Sequence, residues 1–120
     1  RNGIMLSIAI GIAESNNLDQ VFIANHGGDH TIYPDCRPEF INAIDAAATA
    51  GTYNNVKVVA PYTKITKSDI ARIGKKLGID YTETWSCYKG GEVHCGKCGT
   101  CVERKEALAE AGIDDKTIYE

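Results

Sequence analysis

Four cysteines crowded into fifteen residues constrain this chain more than any other feature of its sequence. They follow the spacing C-x7-C-x2-C-x2-C and are Cys87, Cys95, Cys98 and Cys101. Thiolates are soft ligands, and four of them at tetrahedral corners satisfy Zn²⁺ and leave no position open for water. Gly96 and Gly99 allow the backbone to turn sharply between the ligands. The spacing therefore predicts a closed zinc site with a structural role.

A disulfide or a redox-active thiol pair is the alternative interpretation of these cysteines. Disulfides belong to oxidising compartments, whereas this chain has five cysteines, an odd number, and no signal-peptide pattern follows Arg1. A single C-x2-C is a known redox arrangement, but two overlapping copies with a fourth cysteine fit that chemistry poorly. His94 lies beside Cys95 as a competing ligand, but four thiolates already fill the shell. We therefore predict zinc and a reducing, cytoplasmic environment.

Composition and charge exclude several classes of function. The 120 residues carry a net charge of −3 without a Lys/Arg cluster, which argues against a nucleic-acid or anionic-membrane surface. No apolar run approaches the ~20 residues needed to cross a bilayer. The content of 43% hydrophobic and 24% charged residues is typical of a globular domain. We therefore expect no direct contact with nucleic acid or membrane.

Strand and helix patterns alternate along the chain. Residues 3–15 are apolar on nearly every face and predict a helix buried on several sides, with Asn2 as its N-cap. Residues 20–25 and 56–60 are short apolar runs, typical of strands buried on both faces of a parallel sheet. Further helices are predicted over residues 38–50, 66–77 and 102–111. This alternation predicts the α/β class.

The third of these helices has a predicted inward face and a predicted end. Ile70, Ile73 and Leu77 recur at helical spacing and are expected to face the core. Gly78 is expected to end the helix in a left-handed conformation.

The predicted sheet is too small for the helices around it. Two parallel strands leave faces and edges open, and the first helix has more apolar surface than they can cover. We therefore predict the C-terminal half of a doubly wound domain whose first strands are missing. Such a chain is expected to associate with itself, as a homo-oligomer, or with another protein.

Polar side chains cluster after the first strand, where open α/β sheets bind ligands. They are Asp29, His30, Tyr33, Asp35 and Arg37. Together they offer carboxylates, a hydroxyl group and a fork-shaped cation to a flat polar ligand. The structural alternative is that both aspartates are turn or cap residues and that the arginine pairs with Asp35 or Glu39. The spacing alone leaves both interpretations open.

Three stretches, taken in order, resemble the 7-cyano-7-deazaguanine synthase family. They are Arg1-Asn2 at the start of the apolar helix, residues 28–40 (GDHTIYPDCRPEF) and residues 85–88 (WSCY) before the cysteine loop. The resemblance extends in order across all 120 residues. This family resembles the PP-loop ATP pyrophosphatases, which have a Rossmann-like (adenine nucleotide alpha hydrolase-like) parallel sheet. The resemblance therefore implies that this chain is a C-terminal part of that domain, with a four-cysteine zinc loop and a C-terminal helix.

The resemblance also implies a reaction. Family members convert 7-carboxy-7-deazaguanine, with ATP and ammonia, to the nitrile used in queuosine synthesis, which is the chemistry of an ATP-dependent C–N ligase. The family holds zinc with four cysteines that match those of this chain. It favours a substrate pocket in residues 26–40 and a place for Arg1 beside the ATP phosphates. We expect residues 1–84 to be part of the α/β domain and residues 85–120 to form the zinc loop and terminal helix.

One departure from the family pattern limits the prediction. The family's Ser-Gly-Gly-x-Asp-Ser phosphate loop does not occur in this chain. We therefore expect the chain to be inactive alone. The alternative is a non-catalytic, zinc-stabilised module that binds a small ligand or a protein.

Two further residues have open roles. Cys36 is either a nucleophile activated by Arg37 or, the preferred interpretation, a small buried residue near the pocket. Trp85 either packs over the zinc loop or stacks on the substrate.

Overall fold

A computed structural model describes residues 1–120, which form two compact units, Arg1–Thr66 and Lys67–Glu120. The first unit contains α1 (Asn2–Ser15), β1 (Gln20–Phe22), α2 (Pro38–Gly51) and β2 (Lys57–Val59). The second contains α3 (Lys67–Lys76) and α4 (Gly99–Glu110). Short 3₁₀ turns occur at Gly27–Asp29, Pro34–Cys36 and Tyr81–Glu83. The α/β class is thus observed. The predicted boundary between residues 84 and 85 separates part of the larger α/β domain from the cysteine loop and terminal helix, and it stays a prediction.

The two strands pair in parallel, as predicted, but each is short. Val21 lies opposite Val58 in the register, and the ladder continues where the Ile23 N–H donates to the Val59 carbonyl at 2.9 Å. Val58 is buried, whereas the Phe22 side chain is 65% exposed. The prediction of burial on both faces is therefore wrong for β1. The helices of this unit pack on one face of the sheet, and Phe22 points to the other.

The core of the first unit lies between α1, α2 and the sheet. Its central buried residues are Leu6, Ala48 and Val58. Five partly buried apolar side chains surround them: Ile10, Val21, Ile23, Phe40 and Ile44. This arrangement explains why α2 begins at Pro38, because proline at the first turn needs no hydrogen-bond acceptor and the helix then turns its apolar stripe inward.

Helix α1 has an uncovered apolar face, made of Ile4, Met5, Ile8 and Ile12. Only Leu6 and Ala13 of this helix are buried. The prediction of burial on several sides is therefore wrong within this chain, because a two-stranded sheet contacts only one side of the helix. The uncovered α1 face agrees with the expectation that two strands cannot cover the helix.

Helix α3 buries a different face from the one predicted. Its buried residues are Ser68, Ala71 and Gly74, whereas Leu77 is 74% exposed. The small residues make room for Tyr81, whose hydroxyl donates to the Ala71 carbonyl at 2.7 Å. A Cβ at Gly74 would lie 2.2 Å from that hydroxyl oxygen.

Backbone conformation and hydrogen bonds determine where α3 ends and where α4 begins. Gly78 has φ +77°, and the Ile79 N–H donates to the Gly74 carbonyl at 3.0 Å, so the predicted left-handed end of α3 is confirmed. Helix α4 begins at Gly99, three residues before the predicted start at 102, because the Cys98 carbonyl already accepts the Cys101 and Val102 N–H groups. No helix of the chain combines the length and the apolar character that crossing a bilayer requires.

The two sides of α1 provide a test of this packing. Leu6→Ala should lower the free energy of unfolding by about 2–5 kcal/mol, because it leaves a cavity in the core. Ile8→Ala, on the uncovered α1 face, should change it by less than about 0.5 kcal/mol. Urea unfolding followed by circular dichroism measures both, and equal losses would show that the helix does not pack through Leu6.

Candidate functional site

The four predicted cysteines come together in the second unit. Their Sγ atoms all lie within 4.8 Å of one another. Zn–S bonds of about 2.3 Å in a tetrahedron place sulfur atoms about 3.8 Å apart, so a small adjustment would seat an ion. Cys87, Cys95 and Cys101 are buried and Cys98 is partly buried. The donor set is therefore suited to a soft divalent cation in a closed site.

Hydrogen bonds stabilise negative charge on two of the sulfurs. The N–H groups of Lys97 and Cys98 point at Cys95 Sγ, at 3.5 and 3.3 Å, and hold the pKa of that thiol below its usual value. Gly96 has φ +67°, which permits this tight turn. A hydrogen bond with the Thr100 hydroxyl, with smaller contributions from backbone amides, lowers the pKa of Cys98 to about 5.

Cys101 is in a different environment. It is completely buried in the first turn of α4, and burial raises the pKa of its thiol to about 12. A thiolate there needs a neighbouring positive charge, which a bound metal ion supplies.

His94 stays outside the metal cluster, as expected. Its Nε2 accepts the Ser86 N–H at 3.1 Å, so this nitrogen is already engaged. The imidazole ring packs against Trp85, with ring centroids 4.3 Å apart, and meets the edge of Tyr119. The Trp85 indole N–H donates to the Cys87 carbonyl at 2.8 Å. Packing over the cysteine loop is thus the observed contact of Trp85.

The last residues of the chain form a strap over the cysteine loop, which sequence reasoning missed. The Glu120 N–H donates to the His94 carbonyl at 2.9 Å, and Tyr119 packs against the cysteine cluster. Lys105 Nζ lies 4.1 Å from the centroid of the Tyr119 ring and donates to the Gly96 carbonyl at 3.1 Å. These contacts hold the tip of the loop to α4.

Arg104 is a second residue that sequence reasoning missed. Its guanidinium is buried and donates to the hydroxyls of Thr84, Ser86 and Thr117 and to the Tyr81 carbonyl. These contacts occupy all five of its N–H groups. Arg104 therefore connects α4 to the segment before Cys87 and to the strap. No local pattern marks it, because its partners lie 13 to 23 residues away.

A cleft of about 410 Å³ lies beside this arginine in the second unit. Trp85 and Tyr88 line it together with apolar residues of α3 and α4. Arg104 also lines it, but with every donor engaged it offers the cleft no free hydrogen bond.

In the first unit, buried polar residues follow both strands. Asn25 follows β1, and its amide donates to the Cys36 carbonyl at 2.7 Å and to the Thr63 hydroxyl at 3.3 Å. Thr63 comes after β2 and is buried, as is His26. The carboxyl ends of parallel strands meet at one edge of a sheet, and these residues fix the 34–36 turn to that edge. Sequence reasoning placed a ligand loop here but overlooked Asn25 and Thr63.

The predicted ligand residues are held mainly by contacts within their own loop. Asp29 Oδ2 lies 3.2 Å from His26 Nε2. Arg37 Nε donates to the His30 carbonyl at 2.7 Å and pairs with neither Asp35 nor Glu39. The Tyr33 side chain is exposed. The Nε2 atom of His30 is buried and has no hydrogen-bond partner.

Asp35 caps a helix that begins far away in the sequence. Its Oδ2 accepts from the α-amino group of Arg1 at 3.0 Å and from the Asn2 N–H at 2.9 Å. These bonds hold the pKa of the carboxyl below its ordinary value, with the α-amino group as the largest cause. Asn2 was predicted to be the N-cap but is the first residue of α1, and its amide donates to the Asp35 carbonyl at 3.2 Å.

Cys36 has the properties of a buried thiol. Burial, with the nearby charges of Asp29 and Asp35, raises its pKa. The Asn2 amide donates to its sulfur at 3.4 Å. The Asn2 hydrogen bond favours the thiolate, but burial and the two carboxylates outweigh it. The net effect favours the protonated form, in agreement with the preferred interpretation of a small buried residue.

Comparison with known proteins gives consistent matches. The profile of the family described as "Queuosine biosynthesis protein QueC" matches residues 1–112. A protein of Porphyromonas gingivalis (strain ATCC 33277) named 7-cyano-7-deazaguanine synthase is 67% identical over all 120 residues of this chain, which cover 54% of that protein. Proteins of the same name from Rhizobium johnstonii and Brucella anthropi are 54% and 52% identical over the whole chain, which covers 52% and 53% of them. The chain thus spans about half the length of the curated relatives it matches.

The role of Arg104 is testable through stability. Arg104→Lys cannot reproduce the five hydrogen bonds and should lower the free energy of unfolding by at least about 2 kcal/mol. Arg72→Lys, at a half-exposed site on α3, is the matched control and should cost less than about 1 kcal/mol. The fluorescence of Trp85, the single tryptophan, reports the transition in urea. Similar losses in both variants would contradict the proposed contribution of Arg104.

Proposed function

The chain belongs to the QueC family of queuosine biosynthesis proteins, and from that premise we propose that the whole protein is a 7-cyano-7-deazaguanine synthase. It would convert 7-carboxy-7-deazaguanine, ammonia and ATP to the nitrile, as an ATP-dependent C–N ligase. The observation that carries this proposal is the 67% identity to a synthase of that name over all 120 residues.

The proposed chemistry activates an unreactive carboxylate. Carboxylate oxygen is a poor leaving group, so ATP first converts the carboxyl group to an activated ester, which ammonia attacks to give the amide. The amide oxygen must then be activated in turn, and its loss produces the nitrile. Catalysis of this kind depends on orientation and on stabilisation of developing charge. The protein needs a rigid substrate site more than a nucleophile, which is consistent with the protonated state of Cys36.

We place ATP binding outside most of this chain. Phosphate cradles use consecutive backbone N–H groups at a helix start, and no stretch here reads Ser-Gly-Gly-x-Asp-Ser. The roughly half of the relatives' length that this chain does not span is the proposed location. Arg1 is proposed to lie beside the phosphates, from its position in the family.

The small sheet is proposed to be part of a Rossmann-like (adenine nucleotide alpha hydrolase-like) sheet. Support comes from the parallel pairing of β1 and β2 and from the uncovered α1 face, which further elements or a second copy would cover. A homo-oligomer remains part of this proposal.

The substrate site is proposed to lie in the loop that follows β1. Asp29, His30, Tyr33 and Arg37 are the proposed ligand contacts, because Asn25 and Thr63 hold this loop at the carboxyl edge of the sheet. Asp35 Oδ2 is engaged with the start of α1, so its contribution is to fix the loop to that helix.

The metal is proposed to be a structural zinc ion held by the four cysteines. Four sulfur donors within 4.8 Å, three of them buried, leave no position for a reacting water. The ion would stabilise the loop on which Trp85 and the strap pack. All five cysteines are free thiols, which suits a reducing cytoplasm.

A non-catalytic, zinc-stabilised binding module is the second candidate. The cleft of about 410 Å³ in the second unit favours it. The gene sequence upstream of Arg1 distinguishes the two: a strand followed by Ser-Gly-Gly-x-Asp-Ser selects the enzyme.

Metal content tests the zinc proposal. The purified chain should contain one zinc per molecule by elemental mass spectrometry. Cys101→Ser should lose most of it, because a neutral hydroxyl is a far weaker ligand than a thiolate. Cys36→Ser is the matched control and should retain one zinc per molecule. A folded wild-type chain without stoichiometric zinc would disprove the site.

Turnover tests the enzyme proposal. The whole protein, supplied with 7-carboxy-7-deazaguanine, ammonia and ATP, should form the nitrile, detected by mass spectrometry. The 120-residue chain alone should form none, because it lacks the phosphate loop. Turnover by the isolated chain would overturn the assignment of ATP binding, and inactivity of the whole protein would overturn the function.

A further inference from the structure

Asp29 and His26 form a carboxylate–imidazole pair at the carboxyl edge of the sheet. His26 Nε2 lies 3.2 Å from Asp29 Oδ2, and the histidine is only 8% exposed. On the other side of the ring, His26 Nδ1 accepts the Gly28 N–H at 3.2 Å. Because Nδ1 is an acceptor, the neutral ring carries its proton on Nε2, the nitrogen that faces the carboxylate. His26 therefore holds Asp29 through one oxygen.

The backbone around Asp29 is also fixed. Its N–H donates to the His26 carbonyl at 3.2 Å, and its carbonyl accepts the Tyr33 N–H at 2.8 Å. A Cβ at Gly28 would lie 3.1 Å from the His26 ring, so a glycine at this position lets the ring approach the turn. The carboxylate is therefore presented from a rigid base, which is a requirement for selective binding.

Part of the Asp29 carboxylate remains available. Its Oδ1 accepts no hydrogen bond from the chain, and the side chain keeps 27% of its area exposed. An ionised carboxylate has about four lone-pair positions and acts only as an acceptor. With one position taken by His26, Asp29 can still accept two parallel N–H groups from a ligand.

We propose that Asp29, positioned by His26, reads the cyclic guanidine edge of the deazaguanine ring, accepting its N1–H and its 2-amino group. Two adjacent N–H donors match the two oxygens of a carboxylate, as in other bidentate pairs. This inference rests on the proposed function and deepens it, because it assigns the residue that distinguishes a 2-amino ring from one without that group.

A second observation points to a ligand in the same turn. The Nε2 atom of His30, the next residue along the chain, is buried without a hydrogen-bond partner. Buried polar atoms are nearly always paired, so an unpaired one needs a partner that the chain itself does not provide. A ring with several polar edges supplies such a partner.

The test compares two ligands on the whole protein: 7-carboxy-7-deazaguanine and its analogue without the 2-amino group. Calorimetry should show that the wild type prefers the 2-amino ligand by about tenfold or more, the equivalent of one charge-assisted hydrogen bond. Asp29→Asn replaces one acceptor by a donor. It should raise the Kd of the 2-amino ligand at least about tenfold and change the Kd of the analogue by less than about threefold.

The ratio of the affinities for these two ligands also tests the role of His26. His26→Leu removes the donor and should reduce the preference for the 2-amino ligand, whereas His26→Gln retains an N–H donor and should restore much of it. A purely structural role would weaken both ligands equally and leave the ratio unchanged. Circular dichroism of each variant confirms that it is folded.

The outcomes separate this inference from the function on which it rests. If the wild type binds neither ligand, the proposed function and the inference both fail. If the wild type binds the 2-amino ligand and Asp29→Asn retains its preference, or weakens both ligands alike, the inference is wrong and the function stands.

Discussion

The second unit depends on four sulfur atoms being held together, because it has little other core. Apart from the cysteines, its buried apolar residues are Ala71, Ala107 and Leu108. Small cores supply little stability, and proteins compensate with metals or polar networks. Here the cysteine cluster, which could hold a metal ion, lies at one end of α4, and the five hydrogen bonds of Arg104 tie the same helix to the chain on either side.

The first unit has the opposite organisation. Its core is apolar and lies on one side of a two-stranded sheet, and buried polar side chains follow both strands at the carboxyl edge. Asn25, Thr63 and Asp35 each connect segments more than ten residues apart. Those contacts immobilise a loop that, by composition alone, would be mobile. A rigid loop is what a reaction governed by orientation requires.

The sequence predicted features whose contacts join neighbouring residues, and it missed features whose contacts join residues far apart in the chain. The cysteine cluster and the end of α3 at Gly78 were predicted, because their determinants lie within a few residues of one another. Burial of Phe22 was predicted wrongly, because the apolar run was read as a strand covered on both faces, and the helices pack on only one face of this two-stranded sheet. The roles of Arg104 and of Asp35 as the cap of α1 could not be predicted, because each depends on partners brought together only by the fold.

Two carboxylates in one loop have different roles because their surroundings differ. Asp35 and Asp29 are six residues apart, and spacing gives both the same interpretation. The bonds of Asp35 go to the start of a helix, where the α-amino group of Arg1, and after it the Asn2 N–H, favour its charge and lower its pKa. The carboxylate of Asp29 meets one imidazole and keeps an oxygen open. Because a carboxylate committed to the backbone has less capacity left for a ligand, the open one is the better recognition group, although the two residues are chemically identical.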